Sequence, residues 1–179
     1  MAQNENYQIK TLFNAEQISE RVQEIARLLT QDYTDTTLTV ICTLRGSFIF
    51  FSDLIRELDI PVVCEFLGIS SYGNEMQSSG QVKVTLDLGD AIAGKHVLIV
   101  EDIVDSGVTL NFLLSTLRAR NPASLRTCAL LVKPEKIETP VSVDYVGFEI
   151  GNEFVVGYGL DYAQNYRGLP YLASLEKEH

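Results

Sequence analysis

The segment from Val97 to Leu110, VLIVEDIVDSGVTL, constrains this chain more than any other. An apolar run, Val97 to Val100, ends in two acids, Glu101 and Asp102. A third acid, Asp105, opens a polar turn, Asp105-Ser106-Gly107-Val108-Thr109, and apolar residues at helical spacing follow at Leu110, Leu113, Leu114 and Leu117. The pattern predicts a buried strand with an acidic edge, a tight loop and the N-terminus of a helix. Such a junction gathers backbone N–H groups and hydroxyls that suit a phosphate. It sets beside them carboxylates that suit Mg²⁺. The plainer reading is an ordinary βα turn with Asp105 as an acidic helix cap.

Strand and helix signals alternate around this segment. Asn14 and Gln17 have capping-box spacing ahead of Ile18, Val22, Ile25 and Leu29. Leu38 to Leu44 reads as a strand, broken by Arg45-Gly46-Ser47. Ser47 is placed to cap a helix carrying Phe51, Leu54, Ile55 and Leu58. Further strands are expected at Val62 to Leu67, at the alternating Val82, Val84 and Leu86, at Leu125 to Val132, at Tyr145 to Ile150 and at Phe154 to Tyr158. Residues 70–80 are polar and rich in Gly and Ser, and read as a long flexible loop. The alternation predicts a mostly parallel α/β sheet flanked by helices in one domain, residues 1–179. Ligands gather at the carboxyl ends of such strands. Arg45-Gly46, the run Glu101 to Thr109, and Lys133 all fall there.

Composition limits the partners. With 14 basic and 24 acidic residues the net charge is −10, which argues against broad nucleic-acid binding. Any polyanion must therefore be held locally, by a metal ion, loop amides and a few placed cations. No apolar run approaches the roughly 20 residues of a membrane span, and the N-terminus lacks signal-peptide character. A cytoplasmic protein is the expectation. Cys42, Cys64 and Cys128 are odd in number and widely spaced, each in an apolar run, and are expected as buried reduced thiols.

The run from Glu101 to Thr109 resembles the phosphoribosyl-pyrophosphate (PRPP) motif of the type I phosphoribosyltransferases. Four further segments resemble the 6-oxopurine, hypoxanthine-guanine branch: Leu44-Arg45-Gly46-Ser47, the loop 70–80, Leu131-Val132-Lys133, and the run YVGFEIGNEFVVGYGLDYAQNYR from Tyr145 to Arg167. The resemblance implies the type I fold, with a small hood over the base pocket built from about 150–179 and a flexible lid loop at about 70–80. It implies Mg²⁺ as cofactor, PRPP and a 6-oxopurine base as substrates, and a homodimer or homotetramer.

The implied roles run residue by residue. Glu101 and Asp102 meet the ribose hydroxyls and the metal. Asp105 is the general base, and Ser106, Gly107, Val108 and Thr109 cradle the 5′-phosphate. Arg45 and Gly46, joined by a peptide that the family holds cis, bind pyrophosphate together with Arg167; relatives commonly carry Lys where this chain has Arg45. Lys133 donates to purine O6, Phe154 stacks on the base, and Val155 offers main-chain contacts to its edge. Asp161 lies near the purine 2-position and a second Mg²⁺, and Ser71 and Tyr72 belong to the lid. Two alternatives stay open. A regulator of the same fold would bind RNA or DNA, and should show a basic face. An enzyme of the same family would take xanthine or a pyrimidine.

Overall fold

The computed structural model describes residues 7–71 and 82–177. Its main sheet has six strands in the order β4-β3-β2-β5-β6-β7. These are β2 (Leu38–Leu44), β3 (Val62–Ser71), β4 (Val82–Leu86), β5 (His96–Val104), β6 (Ser124–Val132) and β7 (Tyr145–Glu149). All neighbours are parallel except β3 and β4, which pair antiparallel at one edge. The expected mostly parallel sheet is therefore present.

Helices cover both faces of this sheet, as a parallel sheet requires. Helix α1 (Ala15–Asp32) opens with the predicted capping box: Asn14 accepts from the Gln17 N–H, and Gln17 reaches back to the Asn14 N–H. With α2 (Phe48–Glu57) it packs on the face that carries Val40, Cys42, Leu98 and Val100. Helix α3 (Val108–Arg118) packs on the opposite face, against Ile41, Val97 and Ile99. The expected side-chain cap of α2 is absent: the Ser47 hydroxyl donates instead to the Thr43 carbonyl, at 2.6 Å. Among the described residues no helix is long and apolar enough to cross a membrane.

Chain order reverses between β2 and β5. From β2 the chain moves outward to β3 and β4, then returns to β2's other side and continues through β5, β6 and β7. A switch point of this kind leaves a crevice at the strands' carboxyl ends. Arg45-Gly46 and Asp105 flank that crevice directly.

A second sheet is small and antiparallel, in the order β1-β9-β8, from Tyr7–Phe13, Leu172–Lys177 and Val155–Val156. The hood is thus not C-terminal alone, because β1 from the other end of the chain pairs along β9. The strand expected over Phe154 to Tyr158 shrinks to Val155–Val156, because Gly157 to Leu160 form a turn closed by two hydrogen bonds of 3.0 Å. Cys42 and Cys128 are buried as expected, but Cys64 is exposed on β3, where no helix covers it. The register of β3 and β4 shifts between Gly68 and Ile69, and Leu86 is left exposed.

Candidate active site

Glu101 and Asp102 do not sit at the end of a strand. β5 runs on to Val104 because β6 keeps pairing with it, through Glu101 with Ala129 and Val104 with Val132, whereas β2 pairs only as far as Val100. Successive strand side chains point to opposite faces, so the two acids part. Glu101 goes with Ile99 to the α3 side, and Asp102 with Val100 to the α2 side.

Glu101 is buried, and its Oε1 has no hydrogen-bond partner in the structure. Burial, then the nearby Asp102 charge, holds its carboxyl well above the usual carboxylate range, and the facing Thr43 hydroxyl offsets this in part. Thr43 Oγ1 itself is buried without hydrogen-bond geometry to any group. Two orphaned oxygens at one spot suit a polar or cationic ligand. The sequence reading did not include Thr43, whose only signal is its place two residues before the Arg45-Gly46 loop.

The α3 side of β5 opens into a cavity lined by Glu101, Ile103, Val104, Asp105, Ser106, Gly107, Thr109 and Leu110. The first turn of α3 faces it. Gly107 has no side chain to cap this helix, and the Ser106 hydroxyl accepts only from the Val108 N–H, at 3.5 Å, so further N–H groups of the first turn can face an anion. The cap position is Gly107 and not Asp105. Gly107 has φ +82°, and a Cβ there would lie 2.5 Å from the Thr139 carbonyl oxygen. The loop thus needs glycine on two counts. Asp105, released from capping, turns toward two lysines, with Lys133 Nζ at 3.5 Å and Lys136 Nζ at 3.7 Å.

On the other face Asp102 meets Gly46 so closely that a Cβ on Gly46 would fall 1.5 Å from Asp102 Oδ2. The glycine is required by the carboxylate. Burial pushes Asp102 up to about 6, while the Ile103 N–H, its own backbone and Arg167 pull it down. The cis peptide of this loop joins Leu44 to Arg45, one bond before the Arg45-Gly46 peptide. Arg45 is exposed and donates to Gln164 Oε1 at 3.2 Å. Arg167 is held by the Gly159 carbonyl at 2.7 Å and by Asp161 Oδ1 at 2.5 Å. Asp161 Oδ2 accepts from the Gln164 N–H at 2.8 Å, so both carboxylate oxygens are engaged.

The remaining predicted residues lie farther along the crevice. Lys133, directly after β6, is a buried lysine with 5% of its surface exposed. Phe154 is half exposed and stands edge-on to Tyr162, while Val155 is buried at the start of β8. Of the segment 70–80 expected as a loop, Ser70 and Ser71 belong instead to β3 and pair with Lys83 and Val82. Tyr72 and the Ser71 side chain lie outside the described residues.

Among the described residues no three metal-ligating side chains converge. The donor set is instead hard carboxylate oxygen, with one Glu101 oxygen free, beside a phosphate-type cradle. That fits Mg²⁺, which takes few protein ligands and relies on water and substrate phosphate.

The phosphoribosyl transferase domain family matches residues 8–163 of this chain. The hypoxanthine-guanine phosphoribosyltransferase of Dictyostelium discoideum is 50% identical over 173 residues, covering 94% of this chain and 96% of that protein. That of Bacillus subtilis is 43% identical, with 93% of each covered. A solved hypoxanthine-guanine phosphoribosyltransferase from Bacillus anthracis superposes with a TM-score of 0.89 at 45% identity, covering 93% of this chain and 99% of that one.

Proposed function

The chain belongs to the phosphoribosyl transferase family, and from this premise we propose that it joins a 6-oxopurine to PRPP, forming IMP from hypoxanthine or GMP from guanine and releasing pyrophosphate. The observation that carries the choice of base is the pair Lys133 Nζ and Asp105 Oδ2, 3.5 Å apart. O6 and N7 of a 6-oxopurine are neighbours on one edge of the ring. A lysine donates to O6, and an adjacent carboxylate accepts from N7–H.

Asp105 takes the N7 proton as N9 bonds to ribose C1 and the C1–O bond to pyrophosphate breaks. The open N-terminus of α3, with Ser106, Gly107 and Thr109, holds the 5′-phosphate, and the Val108 N–H adds a donor. Glu101 and Asp102 would hold the ribose hydroxyls and the metal ion. Arg45, Gly46 and Arg167 hold pyrophosphate. Asp161 becomes free for the 2-position edge or a second ion when Arg167 swings to pyrophosphate. Mg²⁺ bound with PRPP would offset charge on the departing pyrophosphate. Phe154 and Val155 would bind the base, and a lid including Ser71 and Tyr72 would exclude water from ribose C1. We further infer a single cytoplasmic domain working as a homodimer or homotetramer on small-molecule substrates. The net charge of −10 supports this over a nucleic-acid regulator.

The test is pyrophosphate release with hypoxanthine, guanine, xanthine and adenine at saturating PRPP and Mg²⁺. Adenine puts an amino donor against the Lys133 ammonium, which has only donors. Its kcat/KM should fall below that of hypoxanthine by about 10⁴. Comparable values would move the chain to another branch of the family.

A further inference from the structure

Between the base side and the pyrophosphate loop lies a turn that none of the roles above uses. It runs from Gly157 to Leu160, directly after β8. Tyr158 sits in it with φ +48°, between Gly157 at φ +96° and Gly159 at φ +106°. A large side chain in the left-handed region is uncommon and marks a position held for a reason. A Cβ on Gly159 would lie 2.1 Å from the Gly46 carbonyl oxygen, so the turn rests on the pyrophosphate loop backbone to backbone. The Gly159 carbonyl also holds Arg167, at 2.7 Å.

The Tyr158 side chain is buried, and its hydroxyl donates to Asp53 Oδ2 at 2.5 Å. Asp53 lies on α2, the helix that begins at Phe48 as the loop ends, and its other oxygen is paired with Arg56. The Tyr158 ring packs in the core cluster that holds Phe51 and Leu54 of α2, and a Cβ on Gly159 would lie 3.9 Å from Ile49 Cβ. A cavity opens between α1, α2 and the turn, lined by Ile18, Val22, Ile49, Asp53, Tyr158 and Leu169. The hydroxyl–carboxylate bond lies at the edge of this cavity and is a directional polar link between turn and helix beside their apolar contact. A bond to a carboxylate is stronger than one between neutral groups.

We propose that Tyr158 is a positioning residue: its bond to Asp53 fixes the turn against the Arg45-Gly46 loop and sets the pyrophosphate subsite relative to the base subsite. The inference rests on the phosphoribosyltransferase reading above. Nothing else about Tyr158 requires a hydroxyl, since phenylalanine would fill the same space.

The experiment compares the unmutated protein with Tyr158→Phe, Asp53→Ala and Asp53→Asn in both reaction directions, with melting temperatures alongside. Tyr158→Phe and Asp53→Ala should raise KM for PRPP, and for pyrophosphate in the reverse direction, by about tenfold, the worth of one hydrogen bond to a charged group. KM for the base should change by less than about twofold, within the scatter of an uninvolved site. Asp53→Asn keeps an acceptor and should recover part of the loss. The double variant Tyr158→Phe with Asp53→Ala should be no worse than either single one. A role in stability alone would lower the melting temperature and leave both KM values of the folded protein in place, and that result overturns the proposal. Equal rises in KM for PRPP and base overturn it too. An unmutated protein that is active beside an unaffected Tyr158→Phe removes only this inference. No pyrophosphate release from the unmutated protein with any purine removes the functional reading and this inference with it.

Discussion

The two sides of the crevice, the one proposed to hold the 5′-phosphate and the one proposed to hold the base, are built differently. The phosphate side is one continuous stretch, 101–109, whose geometry follows from local rules: a strand extended by β6, a glycine at φ +82° and an uncapped helix start. The base side is assembled from distant pieces. Lys133 comes from the end of β6, Val155 from the hood sheet, and Asp161 from a late turn, where an ion pair ties it to Arg167, the residue assigned to pyrophosphate. The hood itself depends on β1, which pairs Tyr7 with Lys177 across almost the whole chain. Backbone fixes the first side, and long-range pairing fixes the second. Changes on the phosphate side should therefore weaken every reaction alike, and changes on the base side should act selectively by base.

Asp105 stands where the two sides meet and gives the largest expected effect. Asp105→Asn keeps size and removes the proton acceptor, so turnover should drop by about 10²–10⁴ with every 6-oxopurine. PRPP affinity should hold, since the cap position of α3 is Gly107 and its start does not need the Asp105 side chain. Single-turnover rates together with PRPP binding decide it. A turnover within a few-fold of the parent, with chemistry limiting, would show that Asp105 merely pairs with its lysines.

Selectivity is the next measure. Lys133→Ala should lower kcat/KM for hypoxanthine by about 10–10², the worth of a hydrogen bond from a charged donor. Adenine, which gains nothing from that ammonium, should lose less, so the gap between the two bases narrows. An equal loss for both would mean that Lys133 acts through Asp105, 3.5 Å away, and not through O6.

Much of this contrast was legible in the sequence, and the illegible part follows the same division. The strand at Leu38 to Leu44, the α1 capping box and the loop–helix junction at 105–109 follow from local preferences, and the structure has them. The helix cap fell on Gly107 because the left-handed turn beneath Thr139 depends on tertiary contact. The exit of β5 was read too early, since two acids look like a strand end unless the partner strand is known to continue. β1 alternates only over Tyr7-Gln8-Ile9-Lys10 and β9 hardly at all, and the two strands pair along each other. The Asp161–Arg167 ion pair and the contact of Gly159 with Gly46 are likewise products of folding that no spacing announces. One sequence signal was available for the turn: two glycines flanking Tyr158, in a run already singled out.

Gly107→Ala probes how far backbone alone holds the phosphate side. The methyl group meets the Thr139 carbonyl and the residue must keep a positive φ, so the loop should shift at a cost of about 1–3 kcal/mol. Thermal melts should show that loss, and KM for PRPP should rise while the order of preference among bases stays as it was. A change in that order would mean that the two sides are coupled through Thr139 and the segment after Lys133.

The smallest effect separates the acids of the two sides. Asp102 is held at about 6 by burial, above its ordinary 3.8. For an acid raised on folding, the stability it contributes is fully present below the unfolded value and is lost as pH rises through the folded one. Without ligands, then, this group should make the protein less stable as pH climbs from about 4 to about 6, and the deficit should persist above that range. Asp102→Asn removes the charge but keeps an acceptor for the Ile103 N–H. At pH about 8 the variant should be more stable than its parent by about 1–2 kcal/mol, less than the full shift would give because the side chain is only partly buried. At pH about 2.5, below both values, the parent carboxyl is protonated in both states and the advantage should vanish. Asp161→Asn would weaken the ion pair with Arg167, so it should yield no gain at either pH. Melting curves across this range decide between the two acids. If Asp102→Asn is less stable than the parent at pH about 8, then attraction to Arg167 outweighs burial, and both sides of the crevice are held by their ion pairs.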